Sequence, residues 1–214
     1  MHRYTKLLLA SLTATALLAI VVGTASAGHL STSNQNFRVT WTSLELTNTI
    51  NNEVVLCEVT LEGSFHSATI AKTSGLLVGY VTRANLAGGG REARCTGGSA
   101  TIHQETLPWH IRYRGFTGTL PNPSGVVLGL IGVSFEIRTN GGFLCNASTE
   151  ALKPAVGTIN INTTTHVAES LRPDETVNIP LEGGFCFFGS GRFRNTSQTL
   201  TLLGTTTRIT VTLI

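Results

Sequence analysis

The sequence predicts an all-β chain: an antiparallel β-sandwich, or a partly open barrel, stapled by two disulfides. Three observations predict it. Between residues 28 and 214, apolar and polar residues alternate with period two, in a chain rich in Thr, Val and Ile and punctuated by Gly. No stretch competes well as a helix of ordinary length. The best, ATIAKTSGLLVGYVTRANL at 68–86, contains Gly75, Gly79 and many β-branched residues, so two strands and a turn fit it better. Four cysteines, Cys57, Cys95, Cys145 and Cys186, stand in a chain that opens with the marks of export.

Those marks occupy residues 1–27. MHRYTK carries Arg3 and Lys6, LLLASLTATALLAIVVG is an apolar run, and Ala25-Ser26-Ala27 supplies the small-x-small site of a signal peptide. Cleavage after Ala27 is expected, leaving residues 28–214 as a single secreted, extracytoplasmic β domain. An uncleaved anchor is the alternative, but the apolar run is at the short end for a spanning helix. Beyond it the longest apolar run is 126–133, too short to cross a bilayer as a helix, so no membrane span is expected after cleavage. Of the 15 Lys and Arg, Arg3 and Lys6 belong to the signal, which leaves 13 against 12 acidic residues, a net charge of +1. Near neutrality gives no electrostatic argument for a nucleic-acid partner, and none is expected.

The strands follow in order. Phe37, Val39 and Trp41 alternate in NFRVTWT, and Val55, Cys57, Val59, Leu61 and Phe65 in EVVLCEVTLEGSFH. The second row sets Glu58, Thr60, Glu62, Ser64 and His66 on the opposite face. Ala87-Gly88-Gly89-Gly90 reads as a mobile loop. In LPWHIRYRGFTGTLP (107–121), Trp109, Ile111 and Tyr113 form one row and His110, Arg112 and Arg114 the other. Pro108 and Pro121 bracket that strand where no ladder donor is needed. Val127, Ile131, Val133, Phe135 and Ile137 read as one long inward row, ending at Asn140-Gly141-Gly142. That Asn-Gly pair signals a type I′ hairpin, which needs positive φ at both central residues. Ile159, Ile161 and Val167 line the next strand, Val177, Ile179 and Leu181 another, and Ile209, Val211 and Leu213 the last.

The even cysteine count implies two disulfides with three possible connectivities. Sequential pairing, Cys57 with Cys95 and Cys145 with Cys186, is expected; nested pairing, Cys57 with Cys186 and Cys95 with Cys145, is the alternative. No C-x-x-C pair and no neighbouring His suggests a zinc site. LPWHIRYRGFTGTLP, with the closing ITVTLI, resembles a group of small exported β-rich bacterial proteins of unknown function. The resemblance implies a secreted β domain and brings no activity or site.

Several chemistries fall away. Asp174 is the only aspartate, which removes Asp-rich calcium loops and leaves a Ser-His-Asp triad dependent on one residue or a Glu substitute. G-x-S-x-G, H-E-x-x-H and phosphate-loop signatures are missing. Three polar groupings remain. Glu58, Glu62 and His66 share a strand face, but the two carboxylates lie roughly 13 Å apart along an extended strand, and a solvated face is expected. His103, Glu105 and His110 are of metal-binding type, but Pro108 interrupts their strand, and no metal is assigned. The row His110, Arg112 and Arg114 is expected to be a solvent face paired with glutamates of a strand such as 58–62. The alternative is a ligand face gripping carboxylate, sulfate or phosphate.

No catalytic residue, cofactor or metal ligand is assigned from sequence. The expectation is a binding or structural module at or outside the cell surface, with a surface glycan or a protein as partner. Two other classes stand beside it: a secreted hydrolase pairing His66, His103 or His110 with a Glu, and an assembly subunit exchanging the strand that runs to Ile214. Phe187 and Phe188 are expected to pack around Cys186 rather than form an exposed aromatic platform.

Overall fold

The computed structural model describes residues 28–183, 186, 189–197 and 199–214. The expected signal segment and the pair Phe187 and Phe188 lie outside the described residues. In chain order the strands are β1 (His29–Thr32), β2 (Asn36–Asn48), β3 (Val54–Phe65), β4 (Thr69–Ala71), β5 (Leu77–Leu86) and β6 (Glu92–Cys95). Then come β7 (Gly98–Ile102), β8 (Trp109–Thr119), β9 (Asn122–Ile131), β10 (Ser134–Thr139), β11 (Leu144–Ser148) and β12 (Ala155–Ile161). The last are β13 (Ala168–Pro173), β14 (Ile179–Glu182), β15 (Gly189–Arg194), β16 (Thr199–Leu202) and β17 (Val211–Leu213). Two short 3-10 turns are the only helical elements among the described residues, and one of them, Ala87–Gly89, stands where a mobile loop was expected.

All pairing is antiparallel. A small sheet runs β17-β1-β4, and a large one runs β13-β12-β9-β8-β5-β3-β2-β15-β14-β11-β10-β7-β6, with β16 on the free half-edge of β2. The large sheet curls back on itself twice. On one side, Thr96 after β6 exchanges backbone bonds of 2.9 and 3.0 Å with Leu56 of β3, and the disulfide Cys57–Cys95 fastens the same seam. This closes β3-β2-β15-β14-β11-β10-β7-β6 into a lobe that also holds the Cys145–Cys186 disulfide. On the other side, backbone bonds Leu202 N–H to Thr207 O, Ala168 N–H to Ile209 O and Ser197 N–H to Leu171 O bring β16 round to β13. The β2–β3 hairpin belongs to both lobes, and one continuous apolar core fills them. The expected all-β antiparallel class and the sequential disulfide pairing are both what forms.

Alternation explains most of the core. Val55, Cys57, Val59, Leu61 and Phe65 are buried, as are Phe37, Val39 and Trp41, and Trp109, Ile111 and Tyr113. Both indoles keep their N–H satisfied: Trp109 Nε1 donates to Thr106 Oγ1 (2.9 Å) and Trp41 Nε1 to Asn195 O (3.2 Å). Two of the expected inward rows break parity. β2 changes face at an irregularity between Trp41 and Leu44, so the inward row continues through Leu44 and Leu46. The expected single strand through Val127 and Ile137 is two strands. Gly132, at φ 82°, turns the chain so that even residues (Val126, Leu128, Leu130) face inward before it and odd ones (Val133, Phe135, Ile137) after it. Val127 and Ile131 are therefore not core residues.

Three smaller expectations change as well. The Asn140-Gly141-Gly142 hairpin forms, but positive φ falls on Gly142 alone. Gly142 N–H bonds Thr139 O, and Thr139 N–H bonds Phe143 O. One left-handed glycine after the turn replaces the two that a type I′ turn requires. Val167 lies beyond β12 and bridges Thr210, and Val177 sits in a turn held by its N–H to Asp174 O. Between them stands β13, whose mixed sequence AESLRP carries no alternation strong enough to announce it.

Candidate ligand face

β8 has two sides with opposite character. Its inner row is core, and its outer row is His110, Arg112 and Arg114, with Arg112 half-buried and Arg114 exposed. The pairing with glutamates expected for this row does not occur, and strand order is the reason. β8 is flanked by β5 and β9, not by β3. Its register sets Tyr80 opposite His110 on one side, and Ile131 and Gly129 opposite His110 and Arg112 on the other, so no carboxylate lies across from it. Glu62 is instead enclosed by two other cations. Its Oε1 accepts from Arg38 Nε at 2.8 Å and its Oε2 pairs with Arg83 at 3.2 Å, across the registers Arg38↔Glu62 and Glu62↔Arg83. Only 6% exposed, Glu62 is not the solvated residue its alternation implied.

Around His110 the outer face gathers rings. The His66 and Tyr80 rings lie 4.5 Å apart centre to centre, and Tyr80 and His110 lie 5.1 Å apart in an edge-to-face arrangement. Beside them His110 Nδ1 and Arg112 Nε are shielded from solvent with no hydrogen-bond partner. Gly129 makes room here: a Cβ on it would stand 3.2 Å from Arg114 Cδ. The ion pairs of the described residues lie elsewhere, at Arg38–Glu62–Arg83, Arg172–Glu175 and Arg194 with Glu45 and Glu175. Arg112 and Arg114 thus carry charge that no described residue neutralises. Sequence reasoning found this row but missed Tyr80, because its role depends on β5 lying beside β8.

The other groupings do not converge. His66 turns to Tyr80, Glu58 is exposed, and Glu62 is held by its arginines. His103 Nδ1 pairs with Ser134 Oγ at 2.9 Å, while Glu105 is exposed. Among the described residues no three His, Cys, Asp or Glu gather as a metal site would require, and no hydrogen bond joins His66, His103 or His110 to a glutamate. Among the described residues no helix is long and apolar enough to cross a membrane. No family model, no curated protein and no solved structure matches the chain.

Proposed function

We propose that this chain is exported and works at or outside the cell surface as a binding module. The outer row of β8 is its ligand face, and an acidic glycan is its ligand class. One observation carries the reading: Arg112, half-buried, and Arg114, exposed, share a strand face on which no described carboxylate pairs with either. Guanidinium groups suit the oxyanions of such a glycan because they offer two parallel donors. Tyr80, with an imidazole on either side, adds an amphipathic ring surface beside the charges. The two disulfides support an oxidising, extracytoplasmic setting.

The test compares wild type with the Arg112→Gln/Arg114→Gln double variant on an array of sulfated and uronate glycans, at low and physiological salt. Wild type is expected to bind a subset, more weakly as salt rises. The double variant is expected to fold, with stability within about 0.5 kcal/mol per site, and to lose roughly tenfold or more in affinity. Equal binding by both proteins, or no glycan bound at either salt, would remove the reading.

A further inference from the structure

Behind the inner row of β8 the core is not filled. A cavity of about 180 Å³ runs through it, walled by both lobes and by the shared hairpin. Its lining includes Phe37, Val59, Val81, Trp109, Ile111 and Ile159. Protein interiors are packed like organic crystals, with few voids larger than a water molecule, so a space of this size calls for an occupant.

Water is a poor one. A buried water needs two to four polar partners, and the lining side chains leave only the acceptor lone pairs of Thr32 Oγ1 to offer. Thr32 Oγ1 already donates to Ala68 O, the two indole N–H groups are bound to Asn195 and Thr106, and Cys57 is in a disulfide. A charged group is worse still, since nothing inside would replace its hydration. What fits is a molecule without polar demands. A dry apolar cavity of roughly 150 Å³ holds a benzene ring, which sets the scale.

The wall of the cavity is least closed at one place. Among the described residues no ladder joins β13 to β15; the links across are those of Leu171 to Ser197 and of Arg194 to Glu175, and the lining residues Leu171, Pro173 and Phe193 are half-buried. Gly157, opposite Pro173 and also in the lining, adds no side chain to this wall.

We infer that the cavity between the two lobes is a second binding site, for a small uncharged apolar molecule of the size of one aromatic ring or a short hydrocarbon chain, entering between β13 and β15. It lies on the opposite side of β8 from the proposed anion face and stands independently of it.

The experiment uses the mature chain with both disulfides intact, and toluene, naphthalene and n-octane as probes, with benzyl alcohol as the polar control. At least one apolar probe is expected to bind in the micromolar range and raise the melting temperature. It should also give NMR cross-peaks to the Val81 and Ile159 methyls, with benzyl alcohol roughly tenfold weaker. Filling the space with Ala155→Leu, or from the other lobe with Ala100→Leu, is expected to weaken that probe roughly tenfold or more. The Arg112→Gln/Arg114→Gln variant keeps its apolar binding, so the two proposals fail separately. Binding no tighter than millimolar for every probe overturns the inference. So do cross-peaks confined to surface residues, or a folded filled variant that binds as wild type does. Should neither filled variant fold, the wild-type cross-peaks decide.

Discussion

The two lobes solve the same problem with different means. One is built from long strands, with β5, β8, β9 and β12 running 10, 11, 10 and 7 residues, and outside the shared hairpin it has no cysteine. The other relies on β6, β7, β11 and β14, of 4, 5, 5 and 4 residues, and it holds both disulfides. Short strands make few ladder bonds and bury little apolar surface each, so entropy favours their release. Cross-links limit that release by restricting the unfolded chain. The long-strand lobe depends instead on burying large side chains, above all Trp109 and Tyr113. Covalent stapling stands where packing is thin.

That contrast breaks most readily at Trp109. Trp109→Ala is expected to cost about 3–5 kcal/mol, the range for deleting a large buried aromatic, measured by urea denaturation at equilibrium. A near-neutral result would mean that the long-strand lobe is not held by its aromatic row. Next in size, replacing Cys57 and Cys95 by Ala opens a loop with a sequence separation of 38 and is expected to cost about 3–4 kcal/mol. Hydrogen exchange sharpens the point. In this variant amide protection should fall in β6, β7 and β10 while β8, β9 and β12 keep theirs, and a uniform fall would show that the lobes do not differ as argued.

How far these features could be read from sequence depends on whether they are local. The alternation in β3 named its large apolar inward residues, Val55, Cys57, Val59, Leu61 and Phe65, because a strand's own pleat sets them. Gly132 and the irregularity after Trp41 each reverse the inward row, and nothing in their neighbours' polarity marks the reversal. The partner of the basic row was misread for a different reason. Glu62 and Arg112 look complementary along the chain, but β5 stands between their strands. His110 and Arg112 were visible as candidates; Tyr80 was not, since only strand order brings it beside His110.

Two smaller effects probe the shared hairpin and the aromatic row. Glu62→Gln removes the charge that both Arg38 and Arg83 bind, and with those arginines 40% and 66% exposed the expected cost is about 1–2 kcal/mol. A thermal melt that does not move would show the triad to be a surface ornament. Burial raises the Tyr113 phenol above its ordinary pKa, so the folded state holds its proton more tightly than the unfolded chain does. The resulting stability is complete below about pH 10 and is lost as pH climbs from there through the folded value. Tyr113→Phe should therefore lose less stability than wild type between neutral pH and pH ~11, as followed by denaturant midpoints.

The small sheet has a consequence in time. Its central strand β1 places Leu30, fully buried, opposite Leu213 of β17 on one side and Ile70 of β4 on the other. That sheet cannot be complete until residue 213 is available to residue 30. Pairings so remote along a chain belong to the slow end of folding, about milliseconds to seconds, because the intervening loop must be closed before the contact returns anything. For a chain synthesised N-terminus first, β1 must hold one edge open until β17 is made.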